Sequence, residues 1–260
     1  MGGKHKTIDN IVNLLHSPLV YKSLVTVREI IYPSSCRLCD SLLSSHAETW
    51  LELCSACHSN LPWNTRPCHR CALPLPEQAT IDICAQCLQQ PPPFDDALAP
   101  LQYNPGVAWL VTQLKFHQQL GHARMLGRLL GQALMTRQSP LPDRIIPIPL
   151  HASRLRERGY NQALEIARPV AKQLSVPLDI HSVQRVRATP PQSQMDLKSR
   201  RRNIRGAFRC ERSLHGQQVA ILDDVVTSGA TARELALQLK QAGAASVSLW
   251  ATTRAPAPWT

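Results

Sequence analysis

The 260-residue sequence predicts a doubly wound α/β domain, its sheet mostly parallel with helices on both faces, preceded by a small cysteine-rich metal module. Three observations carry that prediction. Strand-like apolar runs alternate with segments of helical period from residue 98 to residue 252. Eight of the nine cysteines fall between residues 36 and 87 as four C-x-x-C pairs. A nearly continuous apolar run, QVAIL at 218–222, leads into two adjacent acids and a turn of small residues before helical periodicity resumes.

The elements follow in order. Residues 1–32 form an N-terminal extension, within which 19–31 (LVYKSLVTVREII) reads as an amphipathic helix or a strand that packs as an arm on the next domain. Residues 33–90 hold the paired cysteines, and PPPF at 91–94 closes that module as a stiff connector, because consecutive prolines favour extended backbone. The α/β domain occupies residues 95–254. LAPLQYN at 98–104 reads as a strand entering a turn at Asn104–Gly106. Residues 107–119 and 123–136 space their apolar groups as helices do, with Phe116 a core residue and Gly127 and Gly131 suited to close helix approach. RIIPIPL at 144–150 is a buried strand whose Pro147 and Pro149 mark its end or an edge position. Residues 160–174 read as a helix bent at Pro169. QVAIL has the unbroken apolar character of a central parallel strand. Residues 230–242 are helical with Gly243 as C-cap, and SVSLWAT at 246–252 is the last strand before an irregular tail.

Composition narrows the function classes. Hydrophobic residues make up 43% and charged residues 18%, a globular balance that excludes a disordered chain. The net charge of +11 would concentrate nucleic acid, phosphate esters or an anionic membrane at the surface, although a generic basic surface has the same composition. The excess is local: residues 185–212 hold Arg185, Arg187, Lys198, Arg200, Arg201, Arg202, Arg205, Arg209 and Arg212 against Asp196 and Glu211. No apolar stretch approaches about 18 residues, so no membrane span is expected. Polar residues scattered through 7–32 make a poor signal peptide, and the expected compartment is the cytoplasm.

The cysteine pairs are Cys36/Cys39, Cys54/Cys57, Cys68/Cys71 and Cys84/Cys87. Zn²⁺ takes tetrahedral thiolates, and a two-residue gap lets one tight turn present two sulfurs to one ion. Eight thiolates therefore point to two zincs, with 36, 39, 54 and 57 pairing first and 68, 71, 84 and 87 second; the spacing also permits interleaved pairing. Four thiolates leave no open coordination position, so the ions are expected to be structural and to supply folding energy. His46, His58 and His69 are spare ligand candidates. A disulfide framework is the rival and needs an oxidising compartment. Cys210 stands alone and reads as a small buried hydrophobe.

The segment QVAILDDVVTSGAT at 218–231 places an apolar strand ending at Asp223–Asp224, then the turn Thr227, Ser228, Gly229, Ala230, Thr231, then a helix. Such a turn and helix start aim unpaired N–H groups in one direction, a cradle for phosphate. Hydroxyls at 227, 228 and 231 add donors, and Gly229 lets the backbone come close or take positive φ. Adjacent carboxylates suit vicinal ribose hydroxyls and, through a diphosphate, Mg²⁺. An acidic strand end with a helix N-cap is the plainer reading. Neither a dinucleotide fingerprint nor a Walker A sequence is present. Upstream, RLRERGYN at 154–161 offers Arg154, Arg156 and Arg158, of which Arg156 and Arg158 are the candidate diphosphate contacts; arginines solvating a helix entry is the alternative.

ILDDVVTSGAT resembles the phosphoribosyl-diphosphate (PRPP) signature of type I phosphoribosyltransferases. The resemblance implies that Asp223 and Asp224 contact the ribose hydroxyls and that residues 227–231 hold the 5′-phosphate. Many purine-salvage members carry an acid three places after the second one; Thr227 stands there, which weakens a purine-salvage reading but not PRPP binding. IPIPLHASRLRERGYNQA at 146–163, QSQMDLKSRRRNIRGAF at 192–208 and the four cysteine pairs together resemble the ComF family of competence and DNA-utilisation proteins, over residues 33–252. That resemblance implies a zinc module before a phosphoribosyltransferase-like domain, Mg²⁺ with PRPP or a related sugar phosphate, and partners among single-stranded DNA and the DNA-uptake or helicase proteins. It leaves three functions open: a DNA-uptake or DNA-utilisation factor, a working Mg²⁺-dependent phosphoribosyltransferase, or a non-catalytic scaffold. Relatives often carry Gly after their cysteine pairs; Asp40 and Ala72 follow two of them here, so those turns are expected to differ. The basic run 198–206 reads as a loop over the PRPP site or a nucleic-acid backbone track, with a solvated loop as the plain alternative.

Overall fold

The computed structural model describes residues 34–137, 139–189 and 202–256. The expectations for 1–32, for most of the 192–208 motif and for residues 198–201 lie outside them. The chain divides into two compact units, one ending at Asn60 and one beginning at Leu61.

The first unit carries two short helices, α1 (His46–Leu51) and α2 (Ser55–Ser59). Ser45 and Glu48 form a reciprocal capping box at the start of α1. The Glu48 carboxylate also accepts the Ser55 N–H at 2.8 Å, tying the two helix starts together. This bond, with those from Ser44 and Ser45, holds Glu48 down to about 2.

The second unit is the α/β domain together with the second group of cysteines. Helix α3 (Ala85–Gln89) lies within that group. Strands β1 (Asp96–Leu98), β2 (Leu101–Gln102), β3 (Arg144–Pro147), β6 (Gln218–Val226) and β7 (Ser246–Arg254) form one parallel sheet in the order β1-β7-β6-β3, with β2 also on β7. The expected strand over 98–104 is split at Ala99–Pro100, because proline has no N–H for the ladder. β3 ends at Pro147 at the margin of this path, as its prolines predict. Two short strands, β4 (Val183–Arg185) and β5 (Phe208–Cys210), pair antiparallel beside the sheet.

Helices cover both faces, and alternate residues of the buried strands serve opposite cores. On one face Ile145, Ala220, Leu222 and Trp250 meet α4 (Pro105–Phe116), α5 (Leu120–Met135) and α7 (Gln162–Leu174) through Leu114, Leu130, Ile166 and Val170. The α5–α7 approach is close: a Cβ on Gly127 would lie 2.5 Å from the Ile166 carbonyl oxygen. On the other face Val219, Ile221, Val247 and Leu249 share one core with α8 (Ala230–Gln241) and with Cys68, Cys71, Cys84 and Cys87. The α8 C-cap is Ala242, one residue before the expected Gly243, which follows it with φ 96°.

Three expectations are corrected. The strand with the paired acids does not stop at them; β6 runs on to Val226 because β7 continues to pair with it through Val226↔Arg254. Phe116 is not core: it ends α4, two positions past buried Leu114, and is 69% exposed. Cys210 is half-buried at a strand end rather than enclosed.

Candidate functional site

Two cysteine clusters are built as the spacing predicts. Cys36, Cys39, Cys54 and Cys57 form one and Cys68, Cys71, Cys84 and Cys87 the other, the four sulfurs of each lying within 4.8 Å of one another. Each uses the same two parts. The first pair sits on a tight turn closed by an N–H-to-carbonyl bond, Asp40 to Cys36 at 2.9 Å and Ala72 to Cys68 at 2.7 Å. The second pair opens a short helix, with Cys54 and Cys84 at the N-cap positions. Asp40 and Ala72 take φ of 59° and 56°, so the left-handed turn that glycine would favour is kept without glycine, against the expectation that these turns differ. Such a conformation costs an L-residue about 1–2 kcal/mol, and the metal-binding turn has to supply it.

The donor set fits Zn²⁺. Sulfurs stand 3.7 Å apart at Cys39–Cys54 and Cys71–Cys84. A tetrahedron with zinc–sulfur bonds of about 2.3 Å has edges of about 3.8 Å, whereas a disulfide needs about 2.0 Å. All nine cysteines are free, and His46, His58 and His69 are outside both sets. The second cluster is crowded: its hydrogen bond with Cys71 pulls the Cys68 thiol down to about 4, while that bond and burial push Cys71 up.

A separate cavity of about 410 Å³ opens at the carboxyl ends of β3 and β6, where ligands bind in open parallel sheets. Asp223 and Asp224 line it. The Asp223 carboxylate accepts the Asp224 N–H at 2.9 Å, and the Asp224 carbonyl accepts the Thr252 hydroxyl at 2.6 Å. Lys115 Nζ from α4 lies 2.5 Å from Asp224 Oδ2. The two acids are thereby driven apart. Burial and then the Asp224 charge raise Asp223 well above the usual carboxylate range. Burial pushes Asp224 the same way, but the Lys115 ammonium outweighs it and holds Asp224 below that range.

The arginine run forms a helix, α6 (Ala152–Arg158), ended by Gly159 at φ 83°. Helical spacing puts Arg154 and Arg158, four residues apart, on the cavity side, and leaves Arg156 exposed on the other. Of the two arginines singled out from the sequence, Arg158 therefore reaches the cavity and Arg156 does not, Arg154 taking its place. The Arg158 guanidinium lies 5.6 Å from the centre of the Phe116 ring. Arg185 of β4 adds a further cation to the lining. Tyr160 and Asn161 serve packing and capping: the Tyr160 hydroxyl donates to the Leu114 carbonyl, and Asn161 caps α7 by accepting the Ala163 N–H at 3.0 Å.

The turn after β6 has the expected form. Thr227 and Ser228 make the bend, Gly229 takes φ 71°, and α8 starts at Ala230 with no side-chain cap. The Ala230 N–H reaches the Ser228 hydroxyl at a long 3.4 Å. Thr231 lines the cavity; residues 227–230 lie outside its lining. Lys115, Phe116 and Arg185 are the site residues that sequence reasoning missed. Lys115 and Phe116 follow an apolar helical stripe with no local mark of function, and only the packing of α4 brings them to the acids.

Residues 27–90 match the double zinc ribbon domain and residues 161–259 the phosphoribosyl transferase domain. Fold and site thus define a phosphoribosyltransferase-like α/β protein with an N-terminal pair of zinc ribbons. The chain belongs to the ComF family of competence and DNA-utilisation proteins. It is 39% identical over 227 residues to DNA utilization protein YhgH of Salmonella typhi, covering 85% of this chain and 97% of that one. It is 33% identical over 210 residues to Competence protein F of Haemophilus influenzae, covering 78% and 90%. Among solved structures, a glutamine PRPP amidotransferase from B. subtilis aligns over 49% of this chain and 26% of its own, at 19% identity and a TM-score of 0.34, too loosely to carry an argument.

Proposed function

We propose that this chain is a DNA-uptake or DNA-utilisation protein whose cavity binds PRPP, or a closely related sugar diphosphate, together with Mg²⁺. The observation that carries the reading is the Asp223–Asp224 pair, half-buried and buried respectively, sharing one open cavity with Arg154, Arg158 and Lys115. Acids accept from vicinal ribose hydroxyls, and arginines take phosphate oxygens in bidentate pairs. Mg²⁺ bound with the diphosphate would neutralise its charge and bring it to the carboxylates. The turn at 227–231 is the 5′-phosphate cradle, its amides gathered at an uncapped helix start.

Calorimetry with PRPP and excess Mg²⁺ tests the reading: saturable 1:1 binding that ribose 5-phosphate competes with is expected, and absence of binding would overturn it. The reading is one of binding and includes no transfer step. Diphosphate release that depends on an added nucleobase would convert it to an enzyme.

The relatives' names bring DNA into the reading. The basic surface would meet single-stranded DNA through its phosphates, without base preference. Affinity for an oligonucleotide is then expected to fall steeply with salt, with a log–log slope of about −0.7 per phosphate neutralised. A fluorescence titration that detects no binding even at low salt would remove direct DNA contact and leave a protein partner. No helix among the described residues is long and apolar enough to cross a membrane.

A further inference from the structure

We propose that Arg254 is a positioning residue that makes the second zinc ribbon a working part of the sugar-phosphate site. The inference rests on the proposed ligand and adds what holds that ligand's cradle in shape. Arg254 ends β7 and is 6% exposed. Its Nε donates to the Cys71 carbonyl at 3.0 Å. Its Nη1 donates to the carbonyls of Val226 at 3.0 Å, Ala255 at 2.7 Å and Thr227. One planar guanidinium therefore joins a metal-binding turn to the first two peptide units of the phosphate turn.

Each end of that strut is set by something other than Arg254. The Cys71 carbonyl precedes Ala72, whose left-handed φ of 56° and 2.7 Å bond to the Cys68 carbonyl belong to the turn that presents two sulfurs to the ion. The next carbonyl, of Ala72, accepts from the buried Asn64 amide at 2.8 Å. At the other end Val226 is the last residue of β6, and its peptide leads into the amides that would face phosphate. Because the guanidinium is rigid and packed in a core, a shift of the metal-binding turn reaches Thr227 rather than being absorbed.

Charge makes the same connection. All four described hydrogen-bond partners of Arg254 are neutral carbonyls, yet its guanidinium is buried. A buried cation needs a counter-charge. Four thiolates around a zinc ion would carry a net negative charge next to the Cys71 carbonyl that Arg254 holds. Loss of the second zinc would then remove a backbone anchor and the counter-ion together.

The test uses the full zinc-loaded chain and Arg254→Lys, which keeps the charge but loses the rigid fork. The variant is expected to keep both zincs, to bind Mg²⁺–PRPP about tenfold to a hundredfold more weakly, and to exchange the amides of 227–231 faster while those of central β6 and β7 are unchanged. Arg254→Lys with parental affinity and parental exchange would refute the strut. If the parent itself fails to bind PRPP, the proposed ligand falls, while the exchange rates still decide whether Arg254 controls the turn. Should Arg254→Lys fail to fold, stepwise chelation of the parent replaces it: exchange at 227–231 must rise more than that of central β6 and β7 with loss of the second zinc, and a uniform or absent change would refute the proposal.

Discussion

Cys84→Ser is expected to abolish cooperative unfolding of the unit that begins at Leu61, whereas Cys39→Ser costs one zinc and leaves that transition in place. The difference follows from where the two clusters sit. Cys68, Cys71, Cys84 and Cys87 are between 0% and 8% exposed and share a core with Val219, Ile221, Leu235 and Leu249. Cys39 is exposed, with Cys54 and Cys57 half-buried. A structural zinc contributes about 10–16 kcal/mol of apparent binding energy, comparable to the whole stability of a typical domain at about 5–15 kcal/mol. A serine hydroxyl is a poor ligand, and the three remaining thiols would be left in an apolar core facing a changed ion or none. Scanning calorimetry with zinc analysis checks this. A Cys84→Ser protein that unfolds at the parental temperature with one zinc would show that the second ribbon is an appendage.

The second large effect is on the pH dependence of ligand binding. Asp223 is pushed up by burial and by Asp224, so the free protein keeps a proton there that an ionised ligand contact must displace. Asp224 is already ionised because Lys115 faces it. Binding of Mg²⁺–PRPP should therefore release one proton, and affinity should rise with pH, by up to about tenfold per unit while the pH stays below the folded-state value of Asp223. Readings above about pH 6, where phosphate monoesters are already ionised, separate this effect from titration of the ligand. Asp223→Asn should bind weakly with little pH dependence. Lys115→Met removes the charge that lowers Asp224, so two protons must leave and the dependence should steepen. Calorimetry in buffers of different ionisation enthalpy counts the protons; affinity independent of pH in the parent would contradict the assigned charge states. For stability the signs are opposite. The raised Asp223 disfavours the folded state progressively as pH rises from its unfolded value toward its folded one. The lowered Asp224 contributes stability that is lost as pH falls through its folded value.

Much of this was legible in the residues. Four C-x-x-C pairs specify two tetrahedral sites because thiolate chemistry and a two-residue gap leave few alternatives, and the clusters pair in chain order. QVAIL, the two acids and the small-residue turn announce strand, site and helix because backbone physics at a strand end is local. The expectations that needed correction all depended on partners distant in the chain. β6 outruns its apolar stretch because β7 is there to pair with it. Phe116 leaves the core because α4 ends at the cavity mouth rather than under it. Arg156 gives way to Arg154 because the run coils into a helix, whose period only the formed element imposes.

The chain alone thus determined its zinc chemistry, its parallel-sheet class and the small-residue turn after β6, all set by residues close in sequence. Tertiary structure alone decided that Lys115 splits the two acids, which cations reach them, and that the second ribbon shares a core with the sheet. Contacts such as Arg254 with Cys71 span 183 positions. Ion pairs and carbonyl anchors of that kind carry no periodicity or spacing, so they come into being only when the sheet and its helices have already been assembled.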